Sequence, residues 1–291
     1  MSDLVLDGIR KLIQEDVNSR GLQTIPDHNL VSSCYLDFPA ACRHMAETPQ
    51  LAVGIVTGFY IPAAQPPAGE TDGPLGALFL ARVLTRLGAK VVLATDDFCG
   101  PALHAGLIAA QLEKTVPLIL LPNFAHAQRL TSEDYCRQFF NQAGNLTHLI
   151  ALERPGPSHT PDSIRSPARQ DDALLRQFAQ EVPPDHHNRC HTMKGRDITA
   201  AMSPAHFLFE NVTPKISTIG IGDGGNEIGM GKIPWNVVRD NVPGGGLVAC
   251  RVPADYLIVC GISNWGAYGL ASGLAHLRGQ NPDPAYLDPD Q

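Results

Sequence analysis

Three stretches of the sequence concentrate residue types able to do chemistry. The first, "STIGIGDGGNEIGMGK" (217–232), runs from an apolar segment into glycines that carry Asp223, Asn226 and Glu227. Glycine lets backbone N–H groups approach a ligand closely, and the two carboxylates offer ligands for a hard cation or a proton acceptor. The second, "GETDGP" (69–74), sets Glu70 and Asp72 two residues apart, so both carboxylates face one side of an extended loop before Pro74 opens a helix. An ordinary N-cap role for Asp72 competes with that reading. Carboxylates from this loop together with Asp223 make Glu70, Asp72 and Asp223 the candidate ligands for Mg²⁺ or Mn²⁺. The third, "MKGRDIT" (193–199), offers Lys194 and Arg196 as cations for a substrate carboxylate, against the alternative of an ordinary charged surface loop.

Other motifs lose on their details. Gly220, Gly222 and Gly225 satisfy G-x-G-x-x-G, but on a late strand, with Asp223 aimed where a pyrophosphate would sit and no acidic strand end about 20 residues on. A phosphate-binding Walker loop fails on spacing, since Asn226 stands where its first glycine belongs and Ile233 follows Lys232 where Ser or Thr is needed. The histidines of "DHHNRCH" (185–191) follow two prolines and lack helical or hairpin spacing, which reads as a solvated loop rather than a zinc site. Seven scattered cysteines without a CxxC pair read as small buried hydrophobes.

The elements that must position these groups alternate in a βα pattern. Short apolar runs at 51–59, 90–96, 116–123, 147–155, 216–223 and 256–264 predict six strands. Amphipathic stretches at 74–88, 100–113, 132–142, 197–211, 234–241 and 265–278 predict the helices between and after them. The fold class is therefore α/β, an open and mostly parallel sheet with helices on both faces. Residues 1–291 read as a single domain with an N-terminal helix (1–20) and an insertion or lid at about 156–196. Each strand run ends in polar residues: Thr57, Thr95 to Asp97, Asn123, Glu153 with Arg154, Asp223, and Ser263 with Asn264. In a parallel sheet all these ends share one edge, where ligands bind.

Composition narrows the partner. With 22 basic and 29 acidic residues the net charge is -7, so a nucleic-acid or anionic-membrane footprint is not expected and a small molecule is favoured. A homo-oligomer stays open. Asp3 and Asp7 stand where a signal or transit peptide carries positive charge, and no apolar run reaches membrane-spanning length, so a cytoplasmic location is expected.

The ordered blocks "ETDGPLGALFLARVL" followed by "LGAKV", "LIALERPGPS", "GIGDGGNEIGMGK" and "GISNWGAYGLASGLA" resemble the D-glutamate cyclase family across most of residues 10–280. The resemblance implies a Rossmann-like fold, conversion of D-glutamate to 5-oxo-D-proline with loss of water (a carbon–oxygen lyase), and a divalent cation near the acidic loops. On that implication, a metal on Asp72 and Asp223 polarises the substrate γ-carboxyl and Glu153 or Glu227 takes the amine proton. The amides of Gly224 and Gly225 hold the oxyanion, and Ser263 and Asn264 orient the α-carboxylate. Thr71, Asn226 and Arg196 complete the expected substrate-binding set. Two rivals use the same acidic edge: a metal-dependent small-molecule phosphatase or hydrolase, and a non-catalytic ligand-binding module.

Overall fold

The computed structural model describes residues 2–165 and 172–280. Its main sheet is built from β1 (Ala52–Thr57), β4 (Lys90–Thr95), β5 (Leu118–Leu120), β6 (His148–Leu152), β7 (Ser217–Gly222) and β8 (Tyr256–Val259). Two residue pairs after β1, β2 (Tyr60–Ile61) and β3 (Ala68–Gly69), make a small antiparallel ribbon. The six strands lie in the order β5-β4-β1-β6-β7-β8, and every pairing is parallel. All six expected strands are present, in an open α/β sheet of Rossmann-like form.

Strand sequences such as "AVGIVT" and "HLIAL" are apolar throughout because both faces are covered. Val56, Ala94, Leu149, Ala151 and Val259 point into one core, with Tyr135, Phe139, Phe178 and Trp235 from helices on that face. Their neighbours Ile55, Leu93, Ile150, Ile221 and Ile258 point into the other, against Leu6, Phe38, Leu80, Leu103 and Leu270. Period-two alternation thus sorts residues between two buried faces rather than between core and water.

The chain steps outward from β1 through β4 to β5, then returns to β6 on the other side of β1 and continues to β8. The order reverses between β1 and β6, and a crevice outside the carboxyl ends of these strands is where such sheets hold ligands. The loop after β1 carries Asp72 into helix Pro74–Arg86; Glu153 follows β6; Asp223 follows β7; Ser263 and Asn264 open helix Ser263–Leu277 after β8.

Two sequence expectations are corrected, and one helix is added to those the sequence predicts. The single helix expected over 197–211 is a 3₁₀ turn, Thr199–Ala201, and a separate short helix, His206–Glu210. Ser203 between them gives its N–H to Asp96 (2.6 Å), and Pro204 has none to give. Residues 185–191 are a solvated loop only in part: Asp185, Asn188 and Arg189 are exposed, whereas Cys190 and His191 are buried, the His191 ring stacks on His186, and its carbonyl accepts from Asn226 (2.8 Å). Helix Asp37–Glu47 is also present, hidden from a periodicity reading by Pro39, which its first turn tolerates. The excursion over 156–196 contains helices Pro161–Ile164 and Asp172–Glu181 and returns to the body through bonds such as Ser158 N–H to the Arg189 carbonyl and His159 N–H to that of Ala249. Among the described residues no helix is long and apolar enough to cross a membrane.

Candidate active site

The glycine loop binds an anion, and the anion is its own. Glu227 Oε1 accepts the N–H groups of Asp223 (2.9 Å) and Gly224 (2.7 Å), and Oε2 accepts that of Gly225 (2.7 Å). Successive amides pointing into one concavity form the nest that elsewhere cradles phosphate. Here Glu227 fills it, which gives the G-x-G-x-x-G resemblance a structural cause without a nucleotide. It also corrects two expectations: the amides of Gly224 and Gly225 are engaged rather than open to an oxyanion, and the Glu227 carboxylate is a fastening of the loop rather than a free base. Asn226 ties the same loop to His191 and keeps a buried Oδ1 without a partner.

With Glu227 so placed, Asp223 faces away from its own loop. It is fully buried, and neither carboxylate oxygen accepts a hydrogen bond, although Arg20 Nη1 lies 3.0 Å from Oδ1 as an ion pair. A buried carboxylate without hydrogen bonds is costly, so its presence asks for a ligand or a proton. Asp72, Glu153 and Asp223 each bring one carboxylate oxygen to within 4.8 Å of the others. Three charges at such spacing would repel at roughly 3–4 kcal/mol per pair, more in total than one guanidinium offsets. Protonation or a cation must close the gap. Burial, then the charge of Glu227, pushes Asp223 up to about 9, and burial, then Asp223, holds Glu153 well above the ordinary carboxylate range. Glu70, within hydrogen-bonding reach of Glu153, is pushed up to about 7 by burial and by Asp72.

Backbone geometry fixes these groups. Glu153 sits in the left-handed region at φ 45°, uncommon for a residue with a side chain, and is held by its N–H to Ile221 O (3.0 Å) and by the Ser263 hydroxyl on its Oε2. Gly73, at φ 92°, could not be replaced: a Cβ there would lie 2.6 Å from Thr57 Oγ1 and 2.8 Å from the Glu153 Cβ. Asp72 is a cap, though not of the helix that follows it. Its oxygens accept the N–H groups of Asn264 (2.7 Å) and Ser263 (3.1 Å), the first turn of helix Ser263–Leu277. Asn264 Oδ1 returns the favour to Gly73 (2.9 Å) and Gly76 (2.7 Å) at the start of helix Pro74–Arg86. Each helix is capped from the other, which locks the two acidic segments together.

Of the expected site residues, then, Asp72, Asp223, Glu153 and Ser263 converge, with Glu70 beside them. Asn264 converges too, but its side-chain amide is taken up by the start of helix Pro74–Arg86 and by Thr71 O (3.1 Å), so it is not free to orient a substrate carboxylate. Thr71 and Arg196 are exposed, and the Arg196 backbone bonds to Thr192. The expected metal set changes one member: Glu153 joins Asp72 and Asp223 where Glu70 was expected. An all-oxygen set of carboxylates, one with both oxygens free of hydrogen bonds, suits a hard divalent cation. Arg20 was missed by sequence reasoning, because it lies in a segment without a motif after the N-terminal helix, which ends at Ile13 rather than near residue 20.

A carboxylate cluster at the sheet edge of an open α/β fold sets the class, and comparison of the sequence narrows it. The family described as "D-glutamate cyclase-like, C-terminal" matches residues 9–171 and 181–291, and the chain belongs to this family. It is 30% identical over 228 residues to the human protein "D-glutamate cyclase, mitochondrial", an alignment covering 77% of this chain and 32% of the human one. The chain thus spans about a third of the length of that curated relative. Among solved structures, a short-chain dehydrogenase/reductase from Serratia marcescens BCRC 10948 aligns over 74% of this chain and 100% of its own, at 15% identity and a TM-score of 0.27, too low to carry an argument.

Proposed function

We propose that the protein is a lyase closing D-glutamate to 5-oxo-D-proline with release of water. The observation that carries this reading is the convergence of Asp72, Glu153 and Asp223 at the sheet's switch point, in a member of a D-glutamate cyclase-like family. Closure joins the substrate nitrogen to its γ-carbonyl carbon and breaks one carbon–oxygen bond of the γ-carboxyl. Two protons leave the ammonium nitrogen and depart with that oxygen as water. The reaction therefore needs one group that accepts a proton near nitrogen and another that delivers one near oxygen.

Crowded carboxylates supply both. Asp223 and Glu153 are too close and too buried to be ionised together, and such a pair divides into an acid and a base. Glu153, oriented by the Ser263 hydroxyl, is assigned the protonated role and gives its proton to the departing oxygen. Asp223, assigned the base, attracts the substrate ammonium and takes its proton. Asp72, Glu153 and Asp223 are also the residues that would hold Mg²⁺ or Mn²⁺, whose contribution when bound is Lewis-acid polarisation of the γ-carboxyl.

Purified protein incubated with D- or L-glutamate, each with and without manganese, and resolved by chiral chromatography tests the proposal. The expected outcome is 5-oxo-D-proline from the D enantiomer. Turnover of neither, alongside Asp223-dependent hydrolysis of a phosphate ester, would replace it with the phosphatase reading. Ligand binding without any turnover would replace it with a binding module.

A further inference from the structure

Arg20 stands outside every motif of the sequence, yet it is the cation that the structure sets against the carboxylate cluster. Burial alone would lower its pKa, and the charges of Asp223, Glu153 and Glu227 more than reverse this. The segment that delivers it is firmly built. Asp16 clasps three consecutive amides, accepting from Arg20 (2.8 Å), Gly21 (2.9 Å) and Leu22 (3.0 Å). The preceding turn is pinned to the end of β8 by Gly261 N–H on Ile13 O (2.8 Å). Gly261 must be glycine, because a Cβ there would fall 1.8 Å from Glu15 O. On the other flank, Ile25 N–H bonds to Asn241 Oδ1 (2.8 Å). Backbone order of this kind leaves only the Arg20 side chain to choose its place.

That side chain has not spent its donors. It keeps ion-pair distance from Asp223, 3.0 Å, but makes no hydrogen bond with Asp223 or, through its side chain, with any other described residue. It is 32% exposed, so it reaches solvent from the buried cluster. A guanidinium presents a planar fork of N–H groups matched to a carboxylate, and a purely structural arginine in a protein uses it, as Arg154 does here on Asp96. An unspent fork at the mouth of a carboxylate cluster is arranged for a carboxylate that arrives from outside.

We propose that Arg20 is the anchor for the substrate's α-carboxylate, a substrate-binding residue contributed by the N-terminal segment. This rests on the reading of the site as one that binds glutamate. With the α-carboxylate on Arg20, the ammonium one carbon away lies toward Asp223, and the γ-carboxyl is left for Glu153. The alternative role, a counter-charge that merely keeps the carboxylates together, makes no distinction between ligands with and without that carboxylate.

Ligand discrimination therefore tests it. Binding of D-glutamate and of D-isoglutamine, which carries an amide in place of the α-carboxylate, is measured by calorimetry on the wild type, Arg20→Gln and Arg20→Lys, with turnover followed in parallel. The wild type should prefer D-glutamate by between ~10- and ~100-fold, the scale of a charge-assisted fork. Arg20→Gln should bring the ratio close to one, and Arg20→Lys should recover part of it. A ratio unchanged in Arg20→Gln, or no preference in the wild type, overturns the assignment even if D-glutamate is cyclised. Loss of discrimination without turnover in the wild type upholds Arg20 as an anchor while removing the cyclase reading, and binding of neither ligand removes both.

Discussion

Two acidic clusters lie along the same edge of the sheet, and they are finished to different degrees. Asp96, after β4, meets Arg154, after β6, in a two-pronged ion pair that is almost wholly buried. Arg154 also donates to the carbonyls of Gly58 (3.2 Å) and Ser203 (2.8 Å), Asp96 accepts the Ser203 N–H, and the Ser203 hydroxyl reaches Pro122 O (2.5 Å) and Tyr135. Across β1 and β6, Asp223 is equally buried with both oxygens free of hydrogen bonds and a loose cation at 3.0 Å. Charge, burial and sheet edge are shared; what differs is satisfaction. Both Asp96 oxygens and both Arg154 Nη groups are filled, and only the buried Arg154 Nε lacks a partner; such a pair holds a fold in one arrangement, whereas a carboxylate with neither oxygen filled stores a demand that a ligand, proton or ion can meet.

The largest effect that would separate the clusters comes from breaking the finished one. Asp96→Ala leaves the Arg154 guanidinium buried without a counter-charge, and should cost about 3–5 kcal/mol of stability in denaturant unfolding. A loss under 1 kcal/mol would show that the pair is not the fastening its geometry describes.

Breaking the unfinished cluster should act on rate instead. Asp223→Asn removes the proposed base and one of the repelling charges, so turnover should fall by a factor on the order of 10² or more while the melting temperature holds or rises. A drop in melting temperature matching that of the Asp96 variant would erase the contrast between the two sites.

The last comparison is a pH slope. Asp223 at about 9 and Glu70 at about 7 both lie above their ordinary values, so the folded protein binds more protons than the unfolded chain. Stability contributed by such groups is complete below their unfolded values near 4 and is lost as pH rises through the folded ones. Thermal unfolding in a chelator should therefore show stability declining from about pH 5 to about pH 9, and Asp223→Asn or added Mn²⁺ should flatten the decline. A flat profile in the chelated wild type would mean that the cluster is not short of positive charge.

Sequence alone determined the six strands, their parallel direction and the edge to which their polar ends point, because apolar run length and the βα rhythm are local signals that an open sheet reads out directly. It also marked Asp72, Glu153, Asp223 and Ser263 for attention. Only the tertiary structure decided what each does. Glu227 and Asp223, four residues apart with the same charge, divide into a loop fastening and an unsatisfied acid because the nest has room for one anion. Asp72 and Asn264 cap each other's helices across 192 residues of chain, and Arg20 reaches Asp223 from a segment without a motif. Hydrogen-bond satisfaction belongs to pairs of groups distant in the chain, so no local pattern records which carboxylate is already taken.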